Sequence, residues 1–182
     1  MKKTLIGTLL ALVMVCSCVT PAMAVDIEQA GGTGTTPVVL NVDPAVFSVT
    51  VPTALPVDMN AQGEITVADN AKIINNSVGA VRVEDVEITA GTGWTLIDFN
   101  TDRATLLVDE KKVGIELNGT GTTADGYEFV AGDWAVMAAS DGAEGGADEL
   151  AFTYDALLPV QTSKIVDATI ANVVFTIDWN KA

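Results

Sequence analysis

Val173-Val174-Phe175-Thr176-Ile177-Asp178-Trp179 decides the fold class. Residues 173, 175, 177 and 179 are apolar and alternate with Val174, Thr176 and Asp178, and a period of two lines one face of an extended chain. Most of these residues are β-branched or aromatic, as a half-buried strand requires. The segment therefore predicts a strand whose 173/175/177/179 face, Trp179 included, packs on a core.

The same period recurs upstream. Phe47, Val49 and Val51 alternate with Ser48 and Thr50 before Pro52 and Pro56 interrupt, and Gln62-Gly63 reads as a turn into Ile65-Thr66-Val67. Val81 and Val83 share one parity and Val86 and Ile88 the other, so a β-bulge is predicted around Glu84-Asp85. Gly91-Thr92-Gly93 turns the chain into 94–99, and 104–108 reads as a further strand. Val113, Ile115 and Leu117 lead to Asn118-Gly119, a strong hairpin dipeptide. Residues 127–137, with Phe129, Trp134 and Val136 around Gly132-Asp133, read as two short strands. A Gly- and acid-rich loop over 140–149 precedes 151–158, where Phe152 and Tyr154 share a parity. No window of ten or more residues after Ala24 shows a helical apolar stripe. The prediction is an all-β, antiparallel β-sandwich, or its barrel-like variant, forming a single domain over 46–182.

The N-terminus reads differently. Lys2-Lys3, a charge-free apolar run over 4–15 and Pro21-Ala22-Met23-Ala24 predict a secretory signal peptide over 1–24, too short in its apolar part to span a bilayer. Two processing routes stay open: cleavage after Ala24, which the small-x-small pattern favours, and lipidation at Cys18 within the lipobox-like Val15-Cys16-Ser17-Cys18. Residues 25–45, with Gly31-Gly32-Thr33-Gly34-Thr35-Thr36-Pro37, read as a flexible Gly/Thr-rich spacer. Both cysteines precede Ala24, so the released chain holds no disulfide and no thiolate. The expected location is outside a bacterium-like cell or on its surface.

Charge and residue types exclude several functions. The chain has 9 Lys and Arg against 24 Asp and Glu, a net charge of −15. Such a surface repels phosphate, which argues against nucleic acid and anionic lipid as partners. There is no histidine, hence no Ser-His pair and no usual zinc ligand. A carboxylate pair of the glycosidase kind is the remaining enzymatic option, with Asp98, Asp102, Asp109 and Glu110 near strand ends. An acid-rich surface offers such pairs by chance, so the expectation is a non-enzyme without a cofactor. No metal is expected either, with one weak calcium candidate: Asp141, Glu144, Asp148 and Glu149 are hard oxygen donors on one loop, without EF-hand spacing. Lys72, Lys111, Lys112 and Lys164 are candidates for an isopeptide crosslink to an Asn.

Three tryptophans could stack on sugars or fill the core. Trp94, following Gly93 at a strand start, is expected to be partly buried, and Trp179 to be core.

Gly93-Trp94-Thr95-Leu96 and the order of features around it resemble the WxL-type cell-wall-associated domains of Gram-positive bacteria. That family carries one Trp-x-Leu motif in mid-domain and a second near its C-terminal end. Phe175-Thr176-Ile177 stands in the second place here, with Phe for Trp and Ile for Leu, and Leu117-Asn118-Gly119 resembles the turn that follows the first motif. The resemblance runs over about Val46 to Ala182. It implies a β-sandwich held non-covalently on the wall, with Trp94, Thr95, Leu96, Phe175 and Ile177 toward peptidoglycan or other surface proteins. A second expectation is a subunit of an extracellular filament or surface layer that self-assembles by strand addition, with Pro37-Val38-Val39-Leu40-Asn41-Val42 as donor. A glycosidase-like enzyme ranks last.

Overall fold

The computed structural model describes residue 38, residues 40–143 and residues 145–181. The expected signal peptide over 1–24, both cysteines, most of the expected spacer over 25–45 and Glu144 lie outside the described residues. Contacts divide the chain into Met1–Val42 and Asp43–Ala182. In the first unit Val38, Leu40 and Val42 are exposed, and none of its described residues belongs to a strand.

The second unit is all-β. Its strands are β1 (Val49–Thr50), β2 (Val57–Met59), β3 (Ile65–Val67), β4 (Lys72–Asn75), β5 (Val81–Ala90), β6 (Thr95–Leu96), β7 (Lys112–Leu117), β8 (Thr120–Gly121), β9 (Glu149–Ala151), β10 (Tyr154–Leu157) and β11 (Ala171–Trp179). Two short 3₁₀ turns, Arg103–Thr105 and Ala131–Asp133, are the only helical elements among the described residues. No helix among them is long and apolar enough to cross a membrane.

The strands form small sheets in the orders β1-β4-β9, β10-β7-β6 with β8 added to β7, β11-β5, and β2-β3. Pairing is antiparallel except for β6 and β7, which run parallel. No closed barrel forms among the described strands. One core unites the sheets: Ile73 of β4, Val81, Val83, Val86 and Ile88 of β5, Val113, Ile115 and Leu117 of β7, and Tyr154 and Ala156 of β10.

Local sequence explains much of this. Thr176 pairs with Asp85 but Ile177 pairs with Val83, so Glu84 is the extra residue of a β-bulge. The bulge resets the side-chain phase and lets Val81, Val83, Val86 and Ile88 all point inward. Asn118 (φ 47°) and Gly119 (φ 83°) form the two-residue turn joining Leu117 to Thr120. Two consecutive positive φ angles are what a type I′ hairpin turn needs, and Asn-Gly tolerates them best. Along β11, Val173, Phe175, Ile177 and Trp179 are half-buried against the core, while Val174 and Thr176 are exposed.

Three segments depart from the sequence reading. Residues 104–108 are not a strand. Asp102 caps a 3₁₀ turn there, its Oδ1 accepting from the Ala104 N–H at 2.9 Å and its carbonyl from the Thr105 N–H, and Leu107 is left 69% exposed with no strand beside it. Residues 127–137 are not two strands either. A 3₁₀ turn at Ala131–Asp133 interrupts the segment, and within it only Met137 bridges, to Val81. The run from Phe47 to Val51 narrows to β1, because Pro52 supplies no N–H to extend the pairing. Conversely, Lys72-Ile73-Ile74-Asn75, which the sequence reading did not single out, forms β4 between two strands with Ile73 fully buried.

Side chains tie the small sheets together. The Tyr154 hydroxyl donates to the Pro56 carbonyl at 2.7 Å and accepts from the Ala68 N–H at 3.0 Å, fastening the β2-β3 hairpin to β10. Arg103 donates to the carbonyls of Gly63 and Leu158. Asn75, fully buried, donates to the Gly79 and Ala138 carbonyls and accepts from the Ser77 N–H.

Candidate functional site

The turn after β5 builds the first candidate. The Gly91 N–H donates to the Ile170 carbonyl, and a Cβ on Gly91 would collide with the Thr169 carbonyl, so only glycine allows this close approach. The Trp94 N–H then donates to the Gly91 carbonyl at 2.9 Å, closing the turn. Beyond it, the N–H groups of Thr95 and Ile97 donate to the carbonyls of Lys111 and Val113, which locks β6 parallel to β7. Trp94 and Leu96 are half-buried and packed on the core, and Thr95 is exposed.

This places Trp94, Thr95 and Leu96 along one side of an open groove of about 470 Å³. The other walls are β5 from Glu87 to Ala90 and the turn from Ala124 to Tyr127. Thr123 and Gly126 exchange backbone hydrogen bonds at 2.7 and 3.3 Å, which fixes that turn. The lining combines two aromatic rings with the Thr89 and Thr95 hydroxyls and the Glu87 and Asp125 carboxylates. Such a surface offers flat apolar contact for a sugar ring or an aliphatic side chain, and acceptors for hydroxyl or ammonium groups.

Behind the groove, the Tyr127 hydroxyl and the Trp134 Nε1 are buried without hydrogen-bond partners among the described residues. The indole approaches the phenol without reaching hydrogen-bond geometry. Burial raises the Tyr127 pKa above its ordinary value, and the nearby Asp133 charge adds to the shift.

Phe175 and Ile177 do not line this groove. The Phe175 ring packs 5.8 Å from Trp134 and 5.6 Å from Phe152, inside an aromatic cluster that Phe129 extends. Ile177 pairs with Val83 across β11 and β5. The structure thus gathers the first motif at a surface groove and sends the second toward the core. Glu87, Asp125 and Tyr127 carried no sequence signal, since only the tertiary fold brings them to Trp94.

The carboxylates that could have formed a catalytic pair are each engaged locally. Asp98 accepts from the Asn100 N–H and Asp102 from the Ala104 N–H. Asp109 accepts from both the N–H and the hydroxyl of Thr162, which lowers its pKa, and Lys112 beside Glu110 lowers that of Glu110. Among the lysines, Lys72 meets Glu149 and Lys112 meets Glu110, neither of them an Asn.

The acidic loop separates its members. Glu149 belongs to β9, and both its oxygens lie 3.0 Å from the Lys72 ammonium. Asp141 and Asp148 stay close together around Gly146, with the Ala143 carbonyl beside them. Among the described residues, no three acidic side chains gather as metal ligands.

A smaller depression of about 250 Å³ between Pro52 and Tyr154 is mostly apolar, and its one hydroxyl is committed to Pro56 and Ala68.

Compared with protein-family models, with curated proteins and with solved structures, the chain matches none.

Proposed function

We propose that this chain is an exported, non-catalytic, WxL-like surface protein of a Gram-positive-like bacterium, attaching non-covalently to the cell wall or to other surface proteins through the Trp94 groove. The observation that carries this reading is Trp94 itself, an aromatic left half-exposed in an open groove while Trp134 is buried. A buried aromatic serves packing, whereas a half-exposed one flanked by Tyr127, threonines and carboxylates has the composition of a binding surface. The charge-free run after Lys2-Lys3 supports export. The local engagement of Asp98, Asp102, Asp109 and Glu110 favours a binding protein over a glycosidase.

Co-sedimentation tests the reading. The purified protein is expected to pellet with Gram-positive peptidoglycan, and Trp94→Ala to stay in the supernatant with its circular dichroism unchanged. Wild-type protein remaining wholly in the supernatant overturns wall binding.

One observation favours a second reading, self-assembly by strand addition. β11 is nine residues long and pairs only with β5 among the described residues, so its other edge has no strand partner. Residues 37–42 are the proposed donor. A strictly monomeric species in size-exclusion chromatography, with and without those residues, argues against it.

A further inference from the structure

We propose that the loop from Asp141 to Asp148 binds a hard divalent cation, calcium, through the Asp141 and Asp148 carboxylates and the Ala143 carbonyl. Asp148 is only 3% exposed, and its Oδ1 has no hydrogen-bond partner among the described residues. An ionised carboxylate oxygen buried without a donor is costly, so it calls for a positive partner. Among the described residues no lysine or arginine forms an ion pair with Asp148, and Lys72, which pairs across β4 and β9, is held by Glu149. The backbone that carries the carboxylate is held in place, since the Asp148 carbonyl accepts from the Asn75 N–H at 2.9 Å and the Ala147 carbonyl from the Ala138 N–H at 2.8 Å.

Three oxygens converge where Gly146 lacks a side chain. The position a Cβ would take on Gly146 is 2.5 Å from Asp148 Oδ1, 3.2 Å from Asp141 Oδ1 and 3.3 Å from the Ala143 carbonyl oxygen. Glycine thus leaves a cradle edged by two carboxylates and a carbonyl, and a methyl group would fill it. All three donors are hard oxygens, which selects against soft and borderline metals. Calcium accepts an irregular set of oxygens completed by water, whereas magnesium demands near-ideal octahedral geometry and sheds its waters reluctantly. Two protein carboxylates on a loop place the affinity at about 0.1–1 mM, the range of extracellular calcium modules.

The test uses the purified protein, stripped of metal with a chelator, and calcium chloride as the probe. At 10 mM calcium the unfolding midpoint should rise by about 3–10 °C over sodium chloride of equal ionic strength. Isothermal titration should give one site per chain. Gly146→Ala and Asp141→Asn should each weaken calcium binding at least tenfold, while Asp58→Asn, an exposed carboxylate on β2, should leave it unchanged. Because Gly146→Ala removes no charge, its loss of binding separates a built site from diffuse attraction to an acidic surface. No calcium-specific rise, or equal rises in wild type, Gly146→Ala and Asp141→Asn, would overturn the site. An equal response to magnesium would overturn the assignment to calcium.

Discussion

The ring of Phe47 stands edge-on to Trp179, with centroids 5.1 Å apart and planes at 83°. The contact joins the chain just before β1 to the last residue of β11, across most of the domain's sequence. Trp179 also covers Gly79, where a Cβ would come within 2.9 Å of the indole. Edge-to-face aromatic pairs contribute about 0.5–1.5 kcal/mol beyond their buried area. A double-mutant cycle of Phe47→Ala and Trp179→Ala, read by urea denaturation, should return a coupling of that size. Additive effects would show that the pair is not energetically joined.

Trp134 and Trp94 should part company on mutation. Trp134 is buried among Phe129, Phe152 and Phe175. Trp134→Ala should cost about 3–5 kcal/mol, the cavity penalty for a large aromatic. Trp94→Ala truncates a half-exposed ring and should cost less than Trp134→Ala, while reducing attachment to wall or partner. Equal destabilisation by Trp94→Ala and Trp134→Ala, with attachment intact in the folded fraction, would remove Trp94 from the binding surface.

Asn75 joins β4 to two loops. Its Nδ2 donates to the Gly79 carbonyl at 2.8 Å and the Ala138 carbonyl at 2.6 Å, and its Oδ1 accepts from the Ser77 N–H at 2.9 Å. Asn75→Ala leaves these groups without partners in a buried setting, at about 1–3 kcal/mol for each one that water cannot reach. The expected loss is about 3 kcal/mol or more, measured by chemical denaturation. A loss below 1 kcal/mol would mean that water replaces the amide.

Acid should release the Asp109–Thr162 tether. Two hydrogen bonds from Thr162 hold the Asp109 pKa below 3.8, its ordinary value. A depressed folded-state pKa means that the carboxylate's contribution is present above the unfolded value and is lost as pH falls through the folded one. The Thr162 amide resonance should therefore stay constant down to about pH 4 and shift only below it. A shift centred above pH 4 would contradict the geometry.

Deleting Glu84 tests the bulge. Without the extra residue, either Val81 and Val83 or Val86 and Ile88 would turn to solvent. The deletion should prevent cooperative folding, whereas Glu84→Ala, which keeps the residue count, should be tolerated within about 1 kcal/mol.

Those last five residues also show what local sequence carries. The all-β class, the bulge at Glu84, the Asn118-Gly119 turn and the inward parity of β11 were legible because each depends on side-chain period or turn chemistry within a few residues. Which apolar runs became strands was not. Ala104 to Val108 had strand-like residues but found no partner strand, and its Asp102 cap won. The apolar Ile73 and Ile74 found partners on both sides and became β4. Pairing is a long-range event, and a short apolar run does not encode its neighbour. The candidate sites divide the same way. Trp94-Thr95-Leu96 stood out in the sequence, but only the fold set it against Glu87, Asp125 and Tyr127 and drew Phe175 into the aromatic cluster. Asp141 and Asp148 were visible as acids. That Asp148 is buried with an unpartnered oxygen beside a bare Gly146 follows from the packing of its loop against Asn75 and Ala138, which no local pattern of residues specifies.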